Sequence, residues 1–341
     1  MKRKLASVQR IKALSPIRGA DKIESATILG WNVVVQKDLY KVGDKCIFCE
    51  IDALLPEEEW AEFMRPRGFR VKSCKLRGAL SQGLALPMDI LPLGPYEYAI
   101  GEDVSKTLGI TKYEPPPRFG FNSGQAAGPF PSFVPKTDEL RLQSVLPVLE
   151  ELKGLPLYWT VKCDGTSSTF AKLDGEFYAC SRNLRKKSGD NVYWSMVEKY
   201  KLEEYIPDGF AIQGEICGPG IQKNRLKLKE PDLFVFDVFD IKAGRYVGFD
   251  KFMSFCSRLK TVPVEEVIPS AENARGAELT TDNIDLSLDA WLERAKGLYE
   301  GTDNRREGIV VRPLTPTFSR EVGGRLSFKV LNNDFLLKDE K

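Results

Sequence analysis

The first 93 residues alternate short β-branched or apolar runs with turn signals and carry few helical patterns. Thr27-Ile28-Leu29-Gly30-Trp31-Asn32-Val33-Val34-Val35 is rich in strand formers, Lys41-Val42-Gly43-Asp44-Lys45 reads as a turn, and Cys46 to Ile51 reads as another strand. Leu84 to Leu93 closes the block. Strands this short and this closely spaced point to a small Greek-key barrel.

The commonest nucleic-acid-binding barrel of that kind is the OB fold. Met64 to Gly78 holds six basic residues, Arg65, Arg67, Arg70, Lys72, Lys75 and Arg77, with no acidic one and with Phe69 among them. Such a segment is either a solvated basic loop or a groove that tracks phosphates and stacks a base. On the second reading Arg67, Arg70 and Lys72 are the candidate RNA contacts.

The chain is 341 residues long, room for roughly two domains of ~150 residues. Residues 94–135 carry repeated Pro and Gly, including Pro115-Pro116-Pro117, and Phe119 to Pro135 is uncharged. The expected division is a barrel over 1–95, a connector over 96–130 and a second domain over 131–341. The connector exceeds an ordinary loop, so part of it is expected to pack on a neighbour. Leu142, Val145, Leu146, Leu149 and Leu152 follow helical spacing after the capping candidates Thr137 and Asp138. From Tyr158 onward strands and helices mix.

No histidine is present. That excludes a Ser-His-Asp triad, a Cys-His pair, a His-ligated metal and a histidine general base. Chemistry must run on Lys, Arg, Asp, Glu, Cys, Ser or backbone groups, with a hydrated hard cation as the expected helper. The 50 basic and 48 acidic residues give a net charge of +2, which neither announces nor excludes a nucleic-acid partner. Seven scattered cysteines, no leader-like apolar segment after Met1-Lys2-Arg3-Lys4 and no 18-residue apolar run predict a cytoplasmic, reduced protein without membrane contact. Cys46-Ile47-Phe48-Cys49 has CxxC spacing, but without a second pair it reads as core cysteines on a strand.

The second domain carries an ordered set of short motifs. Thr160-Val161-Lys162-Cys163-Asp164-Gly165-Thr166 is a strand end followed by a turn. Ser181-Arg182-Asn183, Gln213-Gly214-Glu215-Ile216-Cys217-Gly218 and Leu233-Phe234-Val235-Phe236-Asp237-Val238-Phe239-Asp240 come next. Arg306-Glu307-Gly308-Ile309-Val310-Val311-Arg312 and Ser327-Phe328-Lys329-Val330-Leu331 complete it. Any one alone is weak; six in this order are not coincidence.

In these elements the sequence resembles the covalent nucleotidyltransferase superfamily of polynucleotide ligases and mRNA capping enzymes, through motifs I, Ia, III, IIIa, IV and V. The resemblance covers Pro131 to about Leu337. Capping enzymes and DNA ligases place an OB domain after motif V, whereas only 12 residues follow Lys329 here. A barrel in front, joined through Phe133-Val134-Pro135-Lys136-Thr137-Asp138-Glu139, is similar to the ATP-dependent, nick-sealing RNA ligases. The implied fold is α+β: an N-terminal OB-like β-barrel and a nucleotidyltransferase domain (ATP-grasp-like, of the ligase and capping type) on antiparallel sheets with flanking helices.

A lysine amine can displace pyrophosphate from ATP, but it must attack unprotonated, against an ordinary pKa near ~10.4. A neighbouring cation and partial burial both disfavour the ammonium form, and Asp164, two residues on, is expected on the same strand face with a hydrated metal held through water. The resemblance implies that Lys162 is the nucleophile, that Glu215 takes the ribose hydroxyls and that Glu307 serves the metal. It also implies that Phe236 lies on adenine in preference to Phe234 or Phe239, and that Lys329 meets the α-phosphate. Val161, Arg182, Arg141 and Lys136 are further nucleotide contacts. Relatives often carry Lys-x-Lys in motif V; Ser327 stands at the first position, leaving Arg325, Arg312 or the N-terminal domain to face the pyrophosphate. Two basic runs, 182–187 and 223–229, are expected on RNA phosphates.

The function this implies is an RNA ligase using ATP and Mg2+ or Mn2+, acting as a monomer on a nicked RNA or RNA–DNA duplex. The alternatives are a DNA ligase, a capping guanylyltransferase or a non-catalytic RNA-binding protein.

Overall fold

The computed structural model describes residues 4–92, 97–114, 125–274 and 278–339. The chain divides into two compact units, Met1–Pro117 with Leu336–Lys341, and Arg118–Phe335. Among the described residues no helix is long and apolar enough to cross a membrane.

In the N-terminal unit Ala6–Arg10, Lys45–Cys49 and Leu84–Leu86 form one antiparallel sheet, and Ala13–Pro16, Ile23–Ile28 and Trp31–Gln36 form a meander. A hairpin, Ser73–Leu76 with Ala79–Gln82, joins the meander where the Val34 amide donates to Ser81 Oγ at 3.0 Å. Trp31, Val33 and Val35 are buried and Asn32 and Val34 only half so, the period-two pattern of a one-sided strand. Lys45–Cys49 is covered on both faces. Cys46 and Phe48 join Ile28 and Trp31, while Ile47 and Cys49 join Val8, Met64 and Phe69 in a second core. Positions three apart on a strand face opposite ways, so the CxxC residues are core thiols, each pushed up to about 12 by burial.

Residues 97–114 also belong to this unit, although a connector was expected there. Val104, Leu108 and Ile110 enter the second core, the Ala6 amide donates to Ser105 Oγ at 2.9 Å, and Thr111–Lys112 pairs with Ala53–Leu54. These few apolar anchors were hidden by the Gly and Pro around them. At the other end of the expected connector, Ala126–Pro129 is an edge strand on Leu184–Lys186 of the C-terminal unit. Pro115–Pro117 and Phe119 to Gly124 lie outside the described residues.

The C-terminal unit is built on two sheets. One runs in the order Ala126–Pro129, Leu184–Lys186, Glu176–Ser181, Thr166–Leu173, Phe210–Cys217, Asp232–Asp240, Arg245–Tyr246. The other runs Leu140–Arg141, Phe328–Leu331, Gly308–Pro313, Leu157–Lys162, Val264–Ile268, antiparallel except for the first pair. Helix Val192–Tyr200, capped by Asn191 Oδ1 accepting from the Trp194 amide, covers the first sheet. Trp291 of helix Leu288–Arg294, edge-on to Trp159 and Phe328, covers the second.

The helix expected across Leu140 to Leu152 is broken up. Leu140–Arg141 pairs with Phe328–Leu331, Leu142–Ser144 is a 3-10 turn, and only Val148–Glu151 is α-helical, starting after Pro147. The apolar residues still reach the core beside Trp159 and Phe328. Sheet pairing took the first residues, and proline, which has no amide to donate, starts the helix instead of continuing one.

Candidate active site

Leu157–Lys162 passes into Thr166–Leu173 through Cys163-Asp164-Gly165, so Lys162 stands where the chain leaves one sheet for the other. Alternation sorts the faces. Trp159, Ile309, Val311, Phe328 and Val330 enter the core, whereas Thr160, Lys162, Val310, Arg312 and Lys329 line a cavity of about 310 Å3. From the other sheet come Thr166, Ser167, Glu215 and Phe236.

Two glycines permit the crowding. A Cβ on Gly308, at φ +148, would sit 2.1 Å from the Val330 carbonyl oxygen. One on Gly165 would lie 2.3 Å from the Ile216 carbonyl oxygen and 2.9 Å from Glu215 Cγ. Gly308 faces Lys162 in register, which brings Glu307 to the lysine.

Lys162 Nζ donates to Glu307 Oε2 at 2.7 Å. Burial disfavours its charge, but Glu307 and then Glu215 outweigh that and hold the ammonium above the ordinary lysine value. The neutral amine expected from burial is therefore not what the protein's own groups favour. Glu215 accepts from the Gly165 amide at 3.2 Å and is pushed up to about 7, first by burial and then by Glu307 and Asp164. Asp164 lies two residues beyond the strand end at Lys162 and interacts electrostatically with Glu307 and Lys162. Its Oδ2 accepts from Arg225 Nε at 3.0 Å, while burial and Glu307 raise its pKa.

Among the described residues no three acidic or sulfur ligands converge to grip a metal directly. Asp164, Glu215 and Glu307 nevertheless interact electrostatically around Lys162, and their repulsion adds to burial in holding two of them protonated beyond the usual range. That donor set fits a hydrated Mg2+ or Mn2+ held through its waters.

Lys329 forms no ion pair among the described residues and is lowered to about 8, by burial, then Lys162, then Arg141, its partner in the parallel register. Val161 and Arg182 line the cavity, Arg182 in an exposed ion pair with Asp138 at 2.5 Å. Phe236 lines it too; Phe239 lies in a separate core cluster and Phe234 lines a different cavity, behind Val161 and Cys163. Arg141 is not in the main lining. Lys136 donates to Asn183 Oδ1 at 3.0 Å and lines only the adjoining cavity.

Ser327 is buried, donating to Glu139 Oε1 at 2.8 Å and accepting from Arg312 Nε at 3.1 Å. Asp237 accepts from both terminal nitrogens of Arg325 at 2.7 Å and lies 3.3 Å from Arg312. Arg325 is thus engaged by Asp237 and does not line the main cavity. Arg312 does, 5.9 Å from the Phe236 ring, and its Nη1 is buried with no hydrogen-bond partner among the described residues.

The basic runs are less free than their sequences imply. Arg185 pairs with Glu176, Lys186 is buried and Arg225 holds Asp164 from a buried position, while Arg182, Lys187, Lys223, Lys227 and Lys229 are exposed, Arg182 paired with Asp138 and Lys227 with Asp303. In the N-terminal segment Arg67 and Lys72 are exposed, but Arg70 donates twice to Asp52 Oδ1, at 2.5 and 3.2 Å, and lies 3.9 Å from the Tyr113 ring. Phe69 is a core residue, not a stacking platform. Arg225, Glu139, Tyr299 and Asn304 touch the site residues and were not singled out as site residues from the sequence. They are single polar residues in ordinary contexts, and only folding gives them their neighbours.

A family model described as RNA ligase matches residues 155–331, and one described as an OB-fold domain matches residues 5–88. The solved RNA ligase of Naegleria gruberi with PPi aligns at a TM-score of 0.77 and 34% identity, covering 99% of this chain and 99% of that one. A lysine-to-alanine variant of that ligase with ATP and Mn, and a glutamate-to-alanine variant with AMP and Mn, each align at 0.77 and 32% identity over 98% of this chain and 99% of theirs. The α+β fold with an N-terminal OB domain holds as expected. A likeness of this strength along the whole length admits one assignment: the chain belongs to the RNA ligase family.

Proposed function

We propose that this RNA ligase uses ATP to seal 3'-OH/5'-phosphate nicks in duplex RNA or RNA–DNA, as a monomer, in RNA repair. The observation that carries the reading is one amine, Lys162, in a cavity of about 310 Å3, paired with Glu307 and sharing the cavity lining with Lys329.

In the first step Lys162 Nζ attacks the α-phosphorus of ATP. An N–P bond forms, the α–β bridging P–O bond breaks, and pyrophosphate leaves. The amine must first give up a proton, and Glu307 Oε2 is the acceptor in reach. Val161 and Phe236 flank adenine, and Glu215 takes the ribose hydroxyls. Lys329, with Arg141 beside it, balances charge on the α-phosphate. A divalent cation, which Asp164 and Glu307 would hold through its waters, would neutralise phosphate charge and, by like-charge repulsion, make Lys162 less basic.

In the second step a 5'-phosphate oxygen of the nick attacks the lysyl-AMP phosphorus, forming a P–O–P linkage and releasing Lys162. In the third a 3'-OH attacks the 5'-phosphate, closing the phosphodiester and expelling AMP. Incubation with α-labelled ATP, then with nicked duplexes whose sugars vary on either side of the nick, tests this. Labelled Lys162 and joining of ribose-containing ends are expected; joining of all-DNA nicks alone would point to a DNA ligase.

A further inference from the structure

Lys162 ends one strand and Glu307 directly precedes its neighbour, where a ladder frays unless something holds it. What holds it here is a tyrosine outside every motif. The Tyr299 hydroxyl donates to the Lys162 carbonyl oxygen at 2.9 Å and accepts from the Glu307 amide at 3.2 Å. One hydroxyl has one proton to give, and this one places it between the backbones of the nucleophile and its carboxylate partner. Tyr299 is buried, 4% exposed, so these bonds form out of competition with water.

The loop behind the ring is itself tied down. The Tyr299 amide donates to the Asn304 carbonyl at 2.9 Å, and Thr302 Oγ1 donates to the Tyr299 carbonyl at 2.9 Å while accepting from the Asn304 amide at 3.1 Å. Asn304 Nδ2 then donates to the Arg225 carbonyl at 2.7 Å, and Arg225 Nε holds Asp164. A single loop therefore registers Lys162 and Glu307 directly and Asp164 through Arg225.

We propose that Tyr299 is a positioning residue that sets the separation of the Lys162 amine from the Glu307 carboxylate for attack on the α-phosphorus. The proposal rests on Lys162 being the nucleophile, as argued above. It adds that the geometry is fixed from behind, by a hydroxyl on a residue outside the lining of the main cavity. Attack by an amine is steep in distance and angle, so a small displacement slows chemistry without altering how ATP is held.

The test is Tyr299→Phe, which keeps the ring and deletes the bridge. Single-turnover lysyl-AMP formation should slow by roughly tenfold or more, with the ATP concentration for half-maximal rate unchanged. Sealing of a nick already carrying a 5'-adenylate, which does not use the Lys162 amine, should fall by less than a third of that factor. Melting and circular dichroism check the fold. If Tyr299→Phe does not fold, Thr302→Val carries the test, because it leaves the Tyr299 hydroxyl in place and removes the side-chain bonds that hold the Tyr299 carbonyl and the Asn304 amide; a rate-only loss of roughly threefold is then expected. Unchanged adenylylation, a loss confined to ATP affinity, or equal losses in adenylylation and sealing would each overturn the proposal. Absence of label on Lys162 of the unmodified protein would instead overturn the reading beneath it.

Discussion

Lys162 Nζ and Glu307 Oε2 are 2.7 Å apart, although 145 positions separate them in the chain. The contact follows from register. Lys162 is the last residue of its strand, Gly308 is its partner, and the missing side chain at Gly308 lets Phe328–Leu331 close in on the other side. On the function proposed above, the pair joins the attacking amine to a carboxylate that can take its proton and hold a metal's water.

Lys162→Ala should abolish covalent labelling by α-labelled ATP in the presence of Mg2+ or Mn2+. It should keep some sealing of a pre-adenylylated nick, since phosphodiester formation needs no lysine nucleophile. Gel autoradiography reads both, and label persisting in Lys162→Ala would remove Lys162 from its role.

Glu307→Ala and Lys329→Ala should each slow adenylylation and final sealing by at least ~100-fold, the scale for removing a preorganised charge from the transition state. Rates within a few-fold of the unmodified enzyme in either assay would show that motifs IV and V do other work.

Lys329 is lowered to about 8, so its positive charge is lost as pH rises through about 8 and not through the ordinary lysine range. The free enzyme then meets ATP without that charge. kcat/KM for adenylylation should bend downward above about pH 8, and Lys329→Arg, which stays charged, should move the bend to higher pH. A bend at the same pH in Lys329→Arg would assign it to another group.

Asp237→Asn should destabilise the protein by about 3 to 5 kcal/mol, because it strips the carboxylate from two buried arginines. Arg325 keeps at most one of its two 2.7 Å bonds, to the remaining amide oxygen, and Arg312 keeps Glu139 as its one carboxylate partner beside Ser327. Denaturant unfolding followed by tryptophan fluorescence measures the loss; a shift below ~1 kcal/mol would mean that the network relaxes around the change.

In the N-terminal unit the exposed cations and the paired one should behave differently. Neutralising Arg67 and Lys72 should weaken RNA binding and lower its log–log salt slope by up to about one unit for each phosphate no longer neutralised. Arg70→Ala should act mainly on stability, by about 1 kcal/mol, since its guanidinium is already held by Asp52 and Tyr113. Binding titrations at several salt concentrations beside thermal melts separate the two, and a salt slope that responds to Arg70 alone would reverse the assignment.

Much of this protein was legible before folding. Alternation marked the strands of the barrel, and the ordered motifs singled out Lys162, Glu215, Phe236 and Lys329, which the fold brings to one cavity, because each motif carries its own strand end or turn in neighbouring residues. The absence of histidine confined the chemistry to Lys, Arg, Asp, Glu, Cys, Ser or backbone groups, with a hydrated cation as helper. Pairing between remote side chains was not legible. Arg225 stands in a basic run that reads as a phosphate contact, yet it is buried against Asp164, 61 positions away. Phe69 and Arg70 read as a nucleic-acid surface, yet one is core and the other is bound to Asp52. Leu140 to Leu152 has helical spacing, yet its first residues were taken by the Phe328–Leu331 strand. In each case a local pattern admitted two environments of similar free energy, and the choice was made by whichever distant strand or loop arrived alongside. A charge's partner depends on sheet register and chain crossing, quantities that no window of sequence contains.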